Sequence, residues 1–235
     1  IDEISNAVSV GFLINESEIS DIKIYLSQIK VTKMSYEEAD KSLHENISLS
    51  MLNKIAKDHK KYRDSNGAIR LDLPKTDIKV KDQKVLVLPQ LQSESREMVS
   101  EIMVLAGRVI AQYSIENNIS MPYLSQAPGK FSEEIIENIN NLSLSKAFEA
   151  AKGFSRSKLS VKPTMHAGLG LEAYIRVTSP MRRYLDLIVQ QQLVNYISNL
   201  ELLNENDIKD RIKVNNASMS KITKASRQSI EHFRC

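Results

Sequence analysis

The residues whose types could support chemistry are concentrated in one stretch, Tyr174–Val189, which reads YIRVTSPMRRYLDLIV. Ser179 is a favourable N-cap residue. Pro180 suits the first position of a helix, because its φ is already helical and its missing N–H costs nothing there. We therefore predict a helix that begins at Pro180. Arg182 and Arg183 would lie in its first turn, where the positive end of the helix dipole disfavours cations.

Two arginines at this position require a nearby negative charge. Asp186 follows Arg183 by three residues and Arg182 by four, so it can pair with one of them. The other guanidinium then needs an anion. The free N–H groups of a helix start, together with an arginine fork, form a phosphate site. The alternative is an Arg–Asp pair that only locks the end of the helix, and the residue types alone leave both interpretations open.

The stretch resembles the signature of the RNB domain, the catalytic domain of the ribonuclease II and ribonuclease R family of hydrolytic 3′→5′ exoribonucleases. The preceding segment, from His166 to Tyr174 (HAGLGLEAY), resembles the lead-in to that signature. The resemblance implies that Arg182 contacts the scissile phosphate and that Arg183 supports this contact. It also implies RNA-binding roles for four neighbouring residues, His166, Tyr174, Thr178 and Ser179.

The resemblance implies two further substrate-binding residues. Tyr36 matches a tyrosine that holds the 3′-terminal nucleotide in the family, and Glu101 matches a glutamate that contacts the terminal ribose. A carboxylate that accepts a hydrogen bond from a ribose 2′-OH is one way to distinguish RNA from DNA. Without the resemblance, Tyr36 is interpreted as a core aromatic residue and Glu101 as an exposed residue on a helix flank. His166 is then interpreted as a structural hydrogen-bonding residue. Gly168 and Gly170 follow it, and we expect these glycines to let the backbone approach a ligand closely.

The sequence departs from the family at two places. Leu71 replaces a phenylalanine that stacks on RNA in the family, and leucine has no π face for stacking. Ser226 lies near the position of a family glutamate, and no acidic residue occurs between Arg211 and Glu231. Both departures favour an alternative function, a degenerate RNB protein that binds RNA without cleaving it. A third possibility is an unrelated α+β protein that contains an Arg–Asp-locked helix.

The family's chemistry uses Mg²⁺, held by an aspartate cluster that the resemblance places before the segment covered by this sequence. We therefore expect no metal ligand in this chain, which begins with Ile1 rather than Met. Residues 1–235 are interpreted as part of an RNB domain without its metal-binding start or the flanking oligonucleotide-binding domains. The intact protein is expected to release nucleoside 5′-monophosphates from single-stranded RNA with Mg²⁺ as cofactor.

Composition sets broad limits on the protein. Its 235 residues are enough for one sizeable domain. With 32 basic and 29 acidic residues the net charge is only +3, so RNA binding would depend on local clusters of cations. The single cysteine, Cys235, excludes a disulfide framework and indicates a reducing compartment, cytoplasmic or organellar. No apolar run approaches the roughly 18 residues of a membrane span, so we expect no membrane partner.

Hydrophobic periodicity predicts an α+β fold, with antiparallel strands in the N-terminal third packed against long helices. Ser35 and Glu38 form a capping box, which predicts a helix start. The cations of the second helix, Lys54 to Arg63, are interpreted as a solvated face, and the alternative is that they contact backbone phosphates. The predicted strands are Ala7–Ile14, Ile19–Ile29, Thr76–Val80 and Val85–Pro89. The other predicted helices are Ile47–Arg63, which a turn at Asn66–Gly67 ends, Ser93–Asn117, two short ones within Phe131–Gly153 with a linker at residues 140–141, the one at Pro180, and Glu205–Arg234. The helix at Pro180 is expected to be buried, with Met181 among its apolar residues. Residues 154–164 are expected to form a basic loop.

Overall fold

The computed structural model describes residues 4–71, 73, 76–81, 84–89, 93–132, 135 and 142–232. Its strands are β1 (Ile4–Asn15), β2 (Glu18–Lys30), β3 (Thr76–Lys81), β4 (Lys84–Pro89), β5 (Tyr123–Ser125) and β6 (Lys158–Ser160). Its helices are α1 (Tyr36–Ser42), α2 (Ile47–Ser65), α3 (Glu94–Glu116), α4 (Leu144–Gly153), α5 (Tyr184–Ile197) and α6 (Glu205–His232). Each strand pairs antiparallel with one neighbour, β1 with β2, β3 with β4 and β5 with β6. The predicted α+β class is confirmed.

The β1–β2 hairpin supplies one wall of the core. Its strands pair in a register that sets Val10 opposite Ile24, with an irregularity between Gly11 and Leu13. Alternate residues of the hairpin face the helices, as the period of two in a half-buried strand requires. Ile24 packs in a buried cluster with residues of α3 and α5, and Ile19 packs against Leu105 and Val109 of α3. The predicted packing of N-terminal strands against long helices is confirmed.

Helix α3 is the central helix of the fold. It begins after Ser93, whose hydroxyl accepts from the N–H of Arg96 at 3.2 Å, and it ends at Asn117. Among the described helices, α3 alone has the length and apolar composition of a membrane span. It also carries the buried residues Glu101 and Ser114, and it packs against both α2 and the hairpin. Residues on the apolar face of α3 therefore contribute to several buried clusters of the core.

Helix α2 lies beside α3, and several of its charged residues contact other parts of the protein instead of facing solvent as predicted. Its end at Asn66–Gly67 is as predicted, since Gly67 adopts the left-handed φ of +77°. The cations were expected to form a solvated face, but Arg63 is only 4% exposed. Lys57 and Lys60 form ion pairs with Glu94 and Glu97 of α3. Contacts between the two helices therefore use charged residues as well as apolar ones.

The C-terminal half is built on α5 and the first turns of α6. Leu185 and Ile188 of α5 form a buried cluster with Ile208 and Ile212 of α6. Between Phe131 and Gly153, where two short helices were predicted, α4 accounts for one. The predicted linker at residues 140–141 lies outside the described residues, as does the predicted helix end at residue 234. The stretch 154–164, expected to be a loop, contains β6 because it pairs with β5.

Candidate functional site

The arginine-containing stretch forms a turn before α5 rather than the first turn of a helix. The carbonyl of Ser179 accepts from the N–H of Arg182 at 3.3 Å and from that of Arg183 at 3.0 Å. Arg183 has extended backbone angles and precedes the first helical residue, Tyr184. The predicted N-cap at Ser179 and helix start at Pro180 are therefore wrong. The φ of proline that suits a helix start equally suits the second position of a β-turn.

Asp186 holds this turn against the start of α5. Its side chain is buried, with 1% of its surface exposed. The same carboxylate oxygen, Oδ2, accepts hydrogen bonds from the Ser179 N–H at 3.0 Å and from Arg183 Nε at 2.9 Å. It also lies 2.8 Å from Arg183 Nη2, within ion-pair distance. The prediction that Asp186 pairs with one of the two arginines is confirmed, and Arg183 is the partner. Charge-assisted bonds from a fork of donors fix the guanidinium in one orientation.

Arg182 lies in a different environment from Arg183. It is exposed, and among the described residues its side chain makes a single hydrogen bond, from Nη2 to Ser179 Oγ at 3.4 Å. The neighbouring Met181, expected on a buried helix, is 98% exposed because it lies in the turn. Thr178 is also exposed. The turn thus presents one immobilised guanidinium and one that is open to an incoming anion.

Tyr174 lies next to this turn and is packed tightly. Its ring is perpendicular to that of His166, with ring centroids 5.9 Å apart. A Cβ atom at Gly107 of α3 would lie 2.3 Å from Tyr174 Cε2, so only glycine permits this approach. Burial raises the pKa of Tyr174, which keeps its hydroxyl protonated and able to donate. The charges of Arg183 and Asp186 act on the same group.

His166 is a buried residue whose backbone and side chain differ in their contacts. Its N–H donates to the Leu171 carbonyl at 2.8 Å, whereas its ring atom Nδ1 has no hydrogen-bond partner in the described structure. Burial lowers the pKa of His166, and the charge of Arg63 acts in the same direction. We expected the glycines after His166 to let the backbone approach a ligand. Gly168 and Gly170 instead lie close to protein atoms, a side-chain oxygen of Gln126 and the carbonyl of Arg63.

Glu101 is held in a buried polar network, so the interpretation as an exposed flank residue is wrong. Its carboxylate accepts from Arg63 Nη1 at 2.8 and 2.7 Å and from His59 Nδ1 at 2.8 Å. Arg63 Nε also donates to the carbonyl of Leu169, two residues after Ala167 in the His166 loop, at 2.8 Å. Burial alone would raise the pKa of Glu101, but the bonds from His59 and the charge of Arg63 outweigh it and lower the pKa.

Arg63 and His59 both contact the candidate site residue Glu101, and sequence reasoning missed both of them. Burial lowers the pKa of His59, against the opposing effect of its bond to Glu101, and the ring atom Nε2 has no partner among the described residues. The sequence did contain a signal. Ala56, His59 and Arg63 follow the i, i+3, i+7 spacing of a buried helix stripe, and all three are buried.

Tyr36 lies beside the N-terminal end of α3. It is 38% exposed, so it is not a core residue. The guanidinium of Arg96 lies 4.2 Å from the centroid of its ring, a cation–π contact. The Tyr36 carbonyl accepts from Ser95 Oγ at 3.1 Å. Ser95 precedes Glu101 by six residues, about 9 Å along the helix axis.

The predicted site residues thus fall into three places. One group at the turn before α5 consists of Tyr174, Ser179, Arg183 and Asp186. Glu101 is joined to the His166 loop through Arg63, and Tyr36 lies apart from both.

The described residues do not provide a binding site for a divalent metal ion. Within these ranges no three His, Cys, Asp or Glu side chains are grouped so that they could hold one. Asp186, which pairs with Arg183, already accepts two hydrogen bonds and forms an ion pair. The donor set described here therefore does not fit Mg²⁺, which prefers several oxygen ligands in octahedral geometry.

Comparison with known proteins identifies the class. The RNB domain matches residues 2–199 of the chain. The chain therefore belongs to the RNB domain family. An uncharacterised ribonuclease of Synechocystis sp. is 34% identical over 200 residues, which cover 81% of this chain and 30% of that protein. The chloroplastic/mitochondrial ribonuclease II of Arabidopsis thaliana is 28% identical over 209 residues, 82% of this chain and 25% of that protein.

Solved structures share the fold. RNase R of Mycoplasma genitalium, in complex with ribose-methylated single-stranded RNA, superposes with a TM-score of 0.83 at 18% identity. The match covers 99% of this chain and 44% of that protein. The chain spans less than a third of the length of the two curated relatives. The predicted family and fold are confirmed by these comparisons.

Proposed function

We propose that the chain is part of a hydrolytic 3′→5′ exoribonuclease that degrades single-stranded RNA, and that it supplies the cationic side of the active site. The observation that carries this proposal is the contrast between the two adjacent arginines. Arg183 is fixed by the buried Asp186, while Arg182 is exposed on the same turn and, within the described part of the chain, makes one long hydrogen bond. Membership of the RNB family and the ribonuclease names of the relatives support RNA as the substrate.

In this proposal Arg182 donates to the phosphate that is being cleaved. A guanidinium positioned before the reaction stabilises charge as it develops in the transition state, at little reorganisation cost. Arg183 supports this contact by tying the turn to Asp186. Ser179, Thr178 and Tyr174 lie on or next to the turn, and we assign them contacts to the terminal phosphate and sugar.

The remaining residues position the terminal nucleotide in this proposal. Tyr36 presents a partly exposed ring, backed by Arg96, on which a nucleotide can rest. Glu101 is assigned to the ribose, and its buried contacts imply that Arg63 and His59 set the direction of its carboxylate. His166 belongs to the loop that Arg63 holds. We further propose that the intact protein uses Mg²⁺, bound by residues other than those described, and acts in the cytoplasm or an organelle.

The test is degradation of a 5′-labelled single-stranded RNA by the intact protein, with and without Mg²⁺. We expect the RNA to shorten stepwise from its 3′ end and nucleoside 5′-monophosphates to accumulate. Intact RNA that remains bound to the protein would instead identify a degenerate, RNA-binding member of the family, and Leu71 and Ser226 would then be the departures to examine. Shortening from the 5′ end would contradict the proposed direction.

A further inference from the structure

Three consecutive glutamines on α5 lie in three different environments. Gln191 is exposed, Gln192 is fully buried and Gln190 is half-buried. Successive residues on an α-helix point about 100° apart, so the helix directs each of these side chains to a different part of the protein. Because the three residues share one side-chain type and one helix, their contacts are what distinguish them.

Gln190 faces the segment that leads into the turn carrying Arg182. Its side-chain Nε2 donates to the carbonyl of Val177 at 3.1 Å. Asp186, one helical turn earlier, accepts from the N–H of Ser179 at 3.0 Å. Residues four apart share one face of a helix, so a single face of α5 holds this segment at two points. Thr178 lies between the two held residues and is exposed.

Two contacts define the position of a short segment, whereas one contact permits rotation about it. With Asp186 alone, the residues before Ser179 could pivot about the Ser179 N–H. Gln190 fixes the other end of the segment at Val177, which is only 9% exposed and whose buried carbonyl requires a hydrogen-bond donor. The amide of Gln190 therefore completes the hold that Asp186 begins.

Ser179 transmits this constraint to the two arginines. Its carbonyl accepts from the N–H of Arg182 at 3.3 Å and from that of Arg183 at 3.0 Å. A displacement of the segment would therefore move the backbone from which the exposed Arg182 side chain projects. A displacement of about 1 Å at a reacting contact can cost about 10²-fold in rate. Gln190 is thus connected to Arg182 through the backbone of residues 177–182.

The other two glutamines have no contact of this kind. Gln192 Nε2 donates to the carbonyls of Ser120 and Leu203, each at 3.0 Å, and its Oε1 accepts from the N–H of Leu203 at 2.9 Å. Ser120 lies before β5 and Leu203 before α6, so Gln192 joins two segments outside the turn. Over the described residues, Gln191 makes no side-chain hydrogen bond.

We propose that Gln190 is a positioning residue for RNA cleavage, which sets the location of Arg182 by holding the Val177 carbonyl and does not itself contact the RNA. The inference rests on the proposed function, in which Arg182 contacts the scissile phosphate. Asp186 carries a charge and also pairs with Arg183, so its loss changes both geometry and electrostatics. Gln190 is neutral, and its loss should change the geometry of the turn alone.

The test is single-turnover cleavage of single-stranded RNA by the intact protein, with RNA affinity measured alongside. We expect Q190M, which keeps the side-chain length but removes the donor, to lower the cleavage rate by about 10–100-fold with affinity retained. Q191M makes the same change at the exposed neighbour and should alter neither quantity. Q192M should lower the melting temperature while the folded protein cleaves at the wild-type rate. Q190H keeps an N–H donor at a similar reach and should recover much of the rate.

A double-mutant cycle tests the path through Arg182. If Gln190 acts by positioning Arg182, Q190M should add little to the loss that R182A already causes. A further loss of full size in the R182A background would assign Gln190 to another step and overturn the inference. A Q190M rate equal to that of Q191M, in a protein that degrades RNA, would also overturn it and would leave the proposed function standing.

Amide hydrogen exchange examines the turn without depending on cleavage. We expect residues 177–183 to exchange faster in Q190M than in Q191M, because the segment then opens locally more often. Equal exchange in the two variants would overturn the inference whether or not the protein cleaves RNA. Wild-type protein that leaves bound RNA intact would contradict the proposed function, while faster exchange in Q190M would still support the hold of Gln190 on the turn.

Discussion

Arg63 of α2 donates through Nη1 to both carboxylate oxygens of Glu101 of α3, at 2.8 and 2.7 Å, and both side chains are buried. The same guanidinium donates through Nε to the carbonyl of Leu169. One residue therefore joins two helices and the loop that contains His166. Glu101, assigned to the terminal ribose, takes its orientation from contacts that are entirely internal to the protein.

The first prediction concerns this ion pair. Replacing Glu101 with Gln leaves the Arg63 charge buried without a full counter-charge, so we expect a loss of about 3–5 kcal/mol in the free energy of unfolding. Denaturant unfolding of the intact protein measures it. The matched control is D210N, which removes the carboxylate of an exposed ion pair on α6 and should leave stability unchanged. A small change for both variants would mean that the buried pair contributes little.

The two adjacent arginines should respond differently to replacement by alanine. We expect R182A to lower kcat by about 10²–10³-fold with RNA affinity and stability retained, because Arg182 is exposed and its proposed contact forms in the transition state. R183A should instead destabilise the protein by about 3–5 kcal/mol, since it leaves the buried Asp186 unpaired. Single-turnover kinetics with parallel unfolding curves distinguish the two. R211A, at an exposed position of α6, is the control, and equal loss of affinity and rate in R182A would remove its assigned role.

The buried histidines predict a dependence of stability on pH. Burial lowers the pKa of both His59 and His166 below the ordinary value of 6.5. As the pH falls below about 6.5, these histidines bind protons in the unfolded chain before they do so in the folded protein. Protons therefore stabilise the unfolded chain, and the free energy of unfolding decreases as the pH falls. Unfolding free energies measured from pH 7.5 to 5 should show this decline. H166Q should make it shallower, and an unchanged slope in that variant would contradict the effect for His166.

Gly107 should be intolerant of a side chain. A Cβ there would lie 2.3 Å from both the Ile175 carbonyl oxygen and Tyr174 Cε2, so we expect G107A to cost about 1–3 kcal/mol through forced displacement. The change also moves Tyr174, a proposed substrate residue, so activity should fall with stability. G11A is the control, because its Cβ would meet Tyr25 Cε1 at an ordinary 3.7 Å. Thermal unfolding of the two variants makes the comparison, and similar melting temperatures would contradict the expected clash.

Local signals predicted most of the fold. The capping box of Ser35 and Glu38 is present in the structure, the hairpin strands pair as expected, and α3 lies between its predicted bounds, Ser93 and Asn117. Such features depend on residues within a few positions of each other, so the sequence alone specifies them. The start of α5 was missed for a local reason as well. Proline has the same φ in a β-turn as at a helix start, and Asp186 favours the turn by binding the Ser179 N–H.

The sequence by itself determined the family, the element order and the pairing of Asp186 with one of two arginines, because these follow from local spacing and from an ordered motif. Only the tertiary structure decided that Arg63 is buried against Glu101, and that the same guanidinium binds the carbonyl of Leu169. Those relationships join residues 38 and 106 positions apart in the chain. A charged side chain has the same local pattern whether its partner is water, an internal carboxylate or a bound phosphate, and packing between distant elements is what distinguishes them.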